Sequence, residues 1–161
     1  MSDQKTGLRW LWISIIVLIL DRVTKYLALQ KLPPYAEVPV MPHFNLTLAY
    51  NKGAAFSFLS SASGWQGWVF GGIALLVSAV ILIWLYRLSA KQRWLCVALT
   101  LIIGGALGNL SDRLLYGHVI DFLEFYAYNF YWPSFNIADS AICVGAVMLF
   151  ADAILFSARK K

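Results

Sequence analysis

Four apolar runs constrain this chain more than any other feature. They cover Leu8 to about Leu29, about Trp65 to Tyr86, about Trp94 to Leu115 and about Ile137 to Phe156. Crossing the ~30 Å hydrocarbon core of a bilayer takes about 20 residues of helix, and each run is close to that length. Backbone groups in hydrocarbon have no water to bond, so a single spanning segment must be helical. The sequence therefore predicts an all-α polytopic membrane protein with four transmembrane helices, forming a single domain over residues 1–161. Composition agrees: 60% of residues are hydrophobic and 13% charged, against about 25% charged in a soluble domain. The first run follows Lys5 and Arg9 and so begins like a signal peptide. No small-residue cleavage site follows, and Asp21, Arg22 and Lys25 interrupt it, so it is read as an uncleaved span.

The bases set the orientation. Lys5 and Arg9 precede the first run, Arg87, Lys91 and Arg93 join the second to the third, and Arg159, Lys160 and Lys161 end the chain. With four spans these groups share one side, which the positive-inside rule makes cytoplasmic, so both termini are expected there. Trp65, Trp68 and Trp132 fit an outer aromatic belt, and Trp10, Trp84 and Trp94 an inner one. The net charge of +5 is dispersed among these segments and forms no single basic patch, so no nucleic-acid partner is expected.

The outer segment from about Leu32 to Gly64, with β structure expected over about residues 35–60, is not a plain linker. Pro33, Pro34, Pro39 and Pro42 exclude a helix through its first part. Phe44, Leu46, Leu48 and Tyr50 then alternate with Asn45, Thr47, Ala49 and Asn51, the period of a half-buried strand. Lys52 and Gly53 can turn the chain, and Ala54 to Leu59 can return as a second strand. A small β-sheet in the first outer loop is expected, either purely structural or a cradle for an extended peptide.

A charge within the bilayer costs about 2.5–3.5 kcal/mol on insertion scales, so each one here needs a reason. Asp21 and Lys25 are four apart on one helical face and read as a structural ion pair. Arg22 and Lys31 can snorkel towards the headgroups. Asn109 and Arg113 share a face of the third helix, and Asp112 can pair with Arg113 or with Lys25. Gly104, Gly105 and Gly108 permit close approach of another helix or an acyl chain. Asn136 and Asp139 open the fourth helix, where the dipole favours a carboxylate, and Asp152 belongs near its far end. Asp121 lies just beyond the third helix. By topology, Asp21, Lys25, Asn51, Asn109, Arg113, Asp121, Asn136 and Asp139 all converge on the outer half of the bundle.

Two carboxylates brought together there cannot both ionise readily, so Asp121 and Asp139 would share a proton. One acid and one carboxylate then coexist near neutral pH, as in aspartic proteases. His43 and His118 lie in loops without metal-ligand spacing and without a Ser/His/Asp setting, so neither a metal site nor a nucleophilic triad is expected. Cys96 and Cys143 lie in apolar runs at different depths and read as small buried residues, not as a disulfide. A small proton-coupled transporter or channel subunit is the competing reading. Acids gathered at one end, forming no relay across the bilayer, count against it. A non-catalytic assembly subunit is a further alternative.

Five motifs carry a family resemblance: DRVTK at Asp21 to Lys25, NKGAAF at Asn51 to Phe56, GGALGNLSDR at Gly104 to Arg113, VIDF at Val119 to Phe122, and FNIADS at Phe135 to Ser140. In this order on four spans, the chain resembles the bacterial lipoprotein signal peptidases, the type II signal peptidase family. The resemblance implies an aspartic endopeptidase that cuts diacylglyceryl-modified prolipoproteins just before the lipidated cysteine. It assigns catalysis to Asp121 and Asp139, and the substrate and inhibitor pocket to Asn51, Gly53, Asn109, Arg113 and Asn136. Asp21, Lys25 and Asp112 remain structural polar residues. The resemblance further implies no cofactor, inhibition by globomycin-type cyclic peptides and contact with membrane lipids. It places the protein in the bacterial inner membrane with its active site towards the outer face; separately from the resemblance, a monomer is expected.

Overall fold

The computed structural model describes residues 5–53 and 65–155. A short 3-10 turn, Gly7–Trp10, leads into α1 (Trp12–Lys31). Strands β1 (Val38–Met41) and β2 (Phe44–Asn51) follow, then helices α2 (Trp65–Arg87) and α3 (Arg93–Tyr116). Strands β3 (Val119–Ala127) and β4 (Phe130–Tyr131) precede α4 (Ile137–Leu155). Among the described residues, three helical segments are long and apolar enough to cross a membrane: Gly67–Arg87, Arg93–Tyr116 and Ile137–Leu155. Helix α1 has 20 residues but is interrupted by charge.

Helix α1 is inverted relative to a helix on a water-soluble protein. It buries Ser14, Val17, Asp21, Lys25 and Ala28, spaced three and four apart along one stripe. It turns Ile15, Ile16, Ile19, Leu20, Val23 and Leu27 outward. The stripe is possible because α3, the central helix, is lined with small residues. A Cβ on Gly104 would meet Val17 and Ser14 of α1, one on Gly105 would meet Ala138 of α4, and one on Gly108 would meet Asp21 and Ala138. These glycines thus admit two other helices, and the acyl-chain alternative is not needed to explain them. Gly145 repeats the device from α4 against Ala98 and Ile102. Helix α2 packs on α3 through Ile81, Leu85, Leu88, Cys96, Leu99 and Ile103. Cys96 is therefore buried as read, but Cys143 is exposed on the outer surface of α4, where an apolar run does not mean an enclosed one.

At one end of the bundle, Gly7 N donates to Leu88 O (2.8 Å) and Trp10 Nε1 to Ala90 O (3.2 Å). This joins the start of the described chain to the α2–α3 connection. The opposite end carries one four-stranded antiparallel sheet in the order β1-β2-β3-β4. Here the expectation needs correction. The sheet is not confined to the first outer loop, because β2 pairs with β3 from the second, with Ala49 opposite Asp121 and Asn51 opposite Val119. The proposed return strand over 54–59 lies outside the described residues. Burial along β2 also departs from simple alternation, since Asn45, Thr47 and Leu48 are all buried. A register irregularity between Leu46 and Ala49 produces the change of phase. A second apolar cluster of Ala28, Leu48, Ile120 and Phe122 seats the sheet on α1.

Candidate active site

Backbone pairing explains how Asp121 and Asp139 meet. Leu123 and Phe135 exchange N–H···O bonds, both 2.9 Å, which pins the segment entering α4 alongside β3. Asn136 then caps α4: its Oδ1 accepts from Asp139 N (2.9 Å), while its own N donates to Asp139 Oδ2 (3.1 Å). This reciprocal pair is a capping box built from Asn and Asp. So Asp139 does serve as an ordinary first-turn carboxylate, but with one oxygen only. Its Oδ1 faces the bundle and accepts from Asn109 Nδ2 at 2.7 Å.

The Asn136 side chain also reaches the other acid. Its Nδ2 lies 2.7 Å from Asp121 Oδ1, 3.1 Å from Asn109 Oδ1 and 3.3 Å from Ile120 O. One residue thus touches both carboxyl groups. Asp121 Oδ2 accepts from Asn51 Nδ2 (3.0 Å), and Asn51 Oδ1 accepts from Gly53 N (3.0 Å), which fixes the amide by a local turn. Asp121 is 2% exposed. Burial, and next the charge of Asp139, push its carboxyl from the usual 3.8 up to about 7. It can therefore exist as acid or carboxylate at neutral pH.

Arg113 closes one side. Its Nη2 donates to Gly53 O and its Nη1 to Asn109 O, each at 3.4 Å, and its guanidinium lies 5.4 Å from the Phe70 ring centre. The structure therefore brings together Asn51, Gly53, Asn109, Arg113, Asp121, Asn136 and Asp139. Gly53, Asn109 and Asn136 are buried, whereas Asn51, Arg113 and Asp139 are partly open.

The remaining predicted polar residues form an adjoining ionic cluster. Lys25 Nζ lies 2.8 Å from Asp21 Oδ2 and 2.7 Å from Asp112 Oδ2. Of the two partners weighed for Asp112, Lys25 is the one it meets, and Arg22 adds a second bond at 3.0 Å to Oδ1. Arg22 also donates to Ser111 Oγ (3.2 Å), which ties its partly exposed side chain to α3. Its position one residue after Asp21 disguised this, because only the packing of α1 on α3 brings Asp112 within reach. Asp21 Oδ1 accepts from Ala138 N (3.0 Å), and Asp112 Oδ2 from Ile120 N (3.2 Å). The cluster thereby ties α1, α3, β3 and the start of α4 together beneath the two acids. The described residues hold no group of His, Cys, Asp and Glu side chains arranged to bind a metal ion.

Comparison with known proteins identifies the family of the chain. Residues 13–155 match the family model described as signal peptidase (SPase) II. A lipoprotein signal peptidase of Photorhabdus laumondii is 54% identical over 150 residues, which cover 93% of this chain and 90% of the relative. One from Yersinia enterocolitica is 50% identical over 155 residues, covering 96% and 92%. Among solved structures, a bacterial membrane enzyme determined at 2.3 Å resolution superposes with a TM-score of 0.85 at 30% identity, covering 95% of this chain and 92% of its own. A second, at 1.9 Å, gives 0.80 at 29% identity, covering 91% and 93%. With the match running from the first helix to the last, this chain belongs to the signal peptidase II family.

Proposed function

We propose that the protein is an aspartic endopeptidase that removes signal peptides from diacylglyceryl-modified prolipoproteins, cutting just before the lipidated cysteine, with Asp121 and Asp139 as its catalytic pair. The observation that carries this reading is the contact of Asn136 with both carboxyl groups at once. Asp121, lifted to about 7, is the favoured seat of the single shared proton, and Asp139 acts as the carboxylate. Water attacks the scissile carbonyl carbon and gives a proton to Asp139, while Asp121 protonates the carbonyl oxygen, forming a gem-diol. On collapse the C–N bond breaks, Asp139 returns its proton to the leaving nitrogen, and Asp121 recovers one from the diol. No acyl-enzyme forms.

Four spans fit this reading. The outward face of α1 is apolar and its buried face carries Asp21 and Lys25, an arrangement stable in lipid and not in water. Lys5 and Arg9 then share a side with Arg87, Lys91 and Arg93, the cytoplasmic side by the positive-inside rule. The acids fall near the opposite, outer surface of the bacterial inner membrane. A substrate held at the interface by two acyl chains meets an active site there with little lifting of lipid from the bilayer. Asn51, Gly53, Asn109, Arg113 and Asn136 are assigned to the site's lining and support, and globomycin-type peptides to its inhibitors; the working unit is a monomer.

The test is incubation of purified protein with lipidated and unlipidated precursor peptides. Cutting of the lipidated peptide alone is expected, with none by Asp121→Asn or Asp139→Asn. Turnover by either variant, or a covalent acyl intermediate (a mixed anhydride) trapped on either aspartate, would overturn the mechanism.

A further inference from the structure

Lys25 has no access to substrate: it is 0% exposed. Its three contacts are Asp21 Oδ2 (2.8 Å), Asp112 Oδ2 (2.7 Å) and Asn109 Oδ1 (3.1 Å). The first two neutralise charge, as a structural ion pair would. The third does something else. An ammonium group has three N–H donors and no acceptor, so it can donate only to the oxygen end of the Asn109 amide. With Oδ1 fixed towards Lys25, Nδ2 must face the other way, and there it donates to Asp139 Oδ1 at 2.7 Å. Asn136 Nδ2 supports the same orientation, donating to Asn109 Oδ1 at 3.1 Å. Were the amide reversed, Asn109 would present Nδ2 to an ammonium and to a second amide NH₂, and an oxygen to the Asp139 carboxylate. All three contacts would then be repulsive.

We infer that Lys25 is a positioning residue for catalysis, acting through Asn109: its ammonium locks the amide so that the N–H end holds the Asp139 carboxyl in its reactive rotamer. The inference rests on the assignment of Asp139 to the catalytic pair. It predicts a role in turnover that charge balance alone does not supply. A reactive group displaced by about 1 Å loses on the order of 100-fold in rate.

The test must separate positioning from folding. Lys25→Met alone leaves buried carboxylates unbalanced and is liable to misfold. Lys25→Met combined with Asp112→Asn removes one charge of each sign and keeps the cluster neutral. Lys25→Gln in the same Asp112→Asn background is similar in length but restores an N–H donor facing Asn109. Both double variants are expected to purify as folded protein with closely similar thermal midpoints. On a lipidated precursor peptide the Met form is expected to lose roughly 10- to 100-fold in kcat with KM within about twofold, and the Gln form to recover much of that loss. Adding Asn109→Ala is expected to abolish the difference between them. Equal kcat for the Met and Gln forms, or a Gln advantage that survives Asn109→Ala, would overturn the inference. A second measurement needs no variant fold at position 25. In wild-type protein labelled with ¹⁵N-asparagine, the Asn109 side-chain amide is expected to give one exchange-protected pair of resonances, identified by its loss in Asn109→Ala. An unprotected or averaged pair would equally overturn it. Turnover by Asp139→Asn would instead remove the catalytic assignment itself, so the two failures are distinguishable.

Discussion

Replacing Asp121 by Asn is expected to abolish activity and yet make the protein more stable at alkaline pH. The carboxyl titrates near 7 in the folded protein instead of 3.8, so between these values the folded state holds more protons than the unfolded one. Stability therefore falls as pH rises through that window and levels off above it. A shift of about three units, at about 1.4 kcal/mol per unit, amounts to about 4 kcal/mol of folding free energy forgone above pH 7. Asparagine removes that charge penalty but adds a mismatch. Its NH₂ must face a donor, either Asn51 Nδ2 or Asn136 Nδ2, at a cost of about 1–3 kcal/mol. The variant should thus exceed wild type by about 1–3 kcal/mol at pH 8, while gaining nothing at pH 4. At about 2–4 °C per kcal/mol, the pH 8 gain is a midpoint increase of roughly 5 °C. The assay is thermal unfolding of detergent-solubilised protein followed by circular dichroism from pH 4 to 8, with peptide cleavage measured on the same samples. A gap between variant and wild type that does not change with pH would refute the energetic reasoning, whatever the activity.

Asp139→Asn should leave no detectable cleavage and, by spoiling the α4 cap, cost about 1 kcal/mol in stability; peptide assay and thermal unfolding check the two parts. Asn51→Ala removes the donor to Asp121 Oδ2, and kcat is expected to fall roughly 10- to 100-fold with the protein still folded by size-exclusion chromatography. Gly105→Ala drives a methyl group into the Ala138 carbonyl and should destabilise by about 1–3 kcal/mol, read as a lowered midpoint. Gly117 ends α3 at φ 74°, so Gly117→Ala should cost about 1 kcal/mol and be milder than Gly105→Ala in the same measurement.

The helices were legible because their signal is long and one-dimensional: about 20 apolar residues need no partner to be recognised. The two acids were legible for a different reason, since charge at the ends of such runs demands explanation. Strand β3 escaped. Val119, Ile120, Asp121 and Phe122 are all buried, so no alternation marks a strand that is covered on both faces. Pairing between β2 and β3 joins residues some seventy positions apart, as in the Asn51 to Asp121 bond, and no local pattern encodes that. Strand β1 was hidden by Pro39, which sits where an edge strand tolerates it. The ion pair of Arg22 was not legible because its partners, Asp112 and Ser111, come from α3 and not from its own helix.

The pairing of β2 with β3 carries a consequence for biosynthesis. When α1, the first two strands and α2 have left the ribosome, β2 still lacks the neighbour that will contribute Asp121, and Lys25 still lacks Asp112 and Asn109. Such non-local contacts form late, because the intervening chain must first be closed into a loop. The half-made polypeptide therefore holds a bare sheet edge and a Lys25 paired with Asp21 alone, and it lacks Asp121 and Asp139. On the proposed assignment of Asp139 to catalysis, hydrolysis must await the arrival of the last helix, so a truncated or stalled product is expected to be inert.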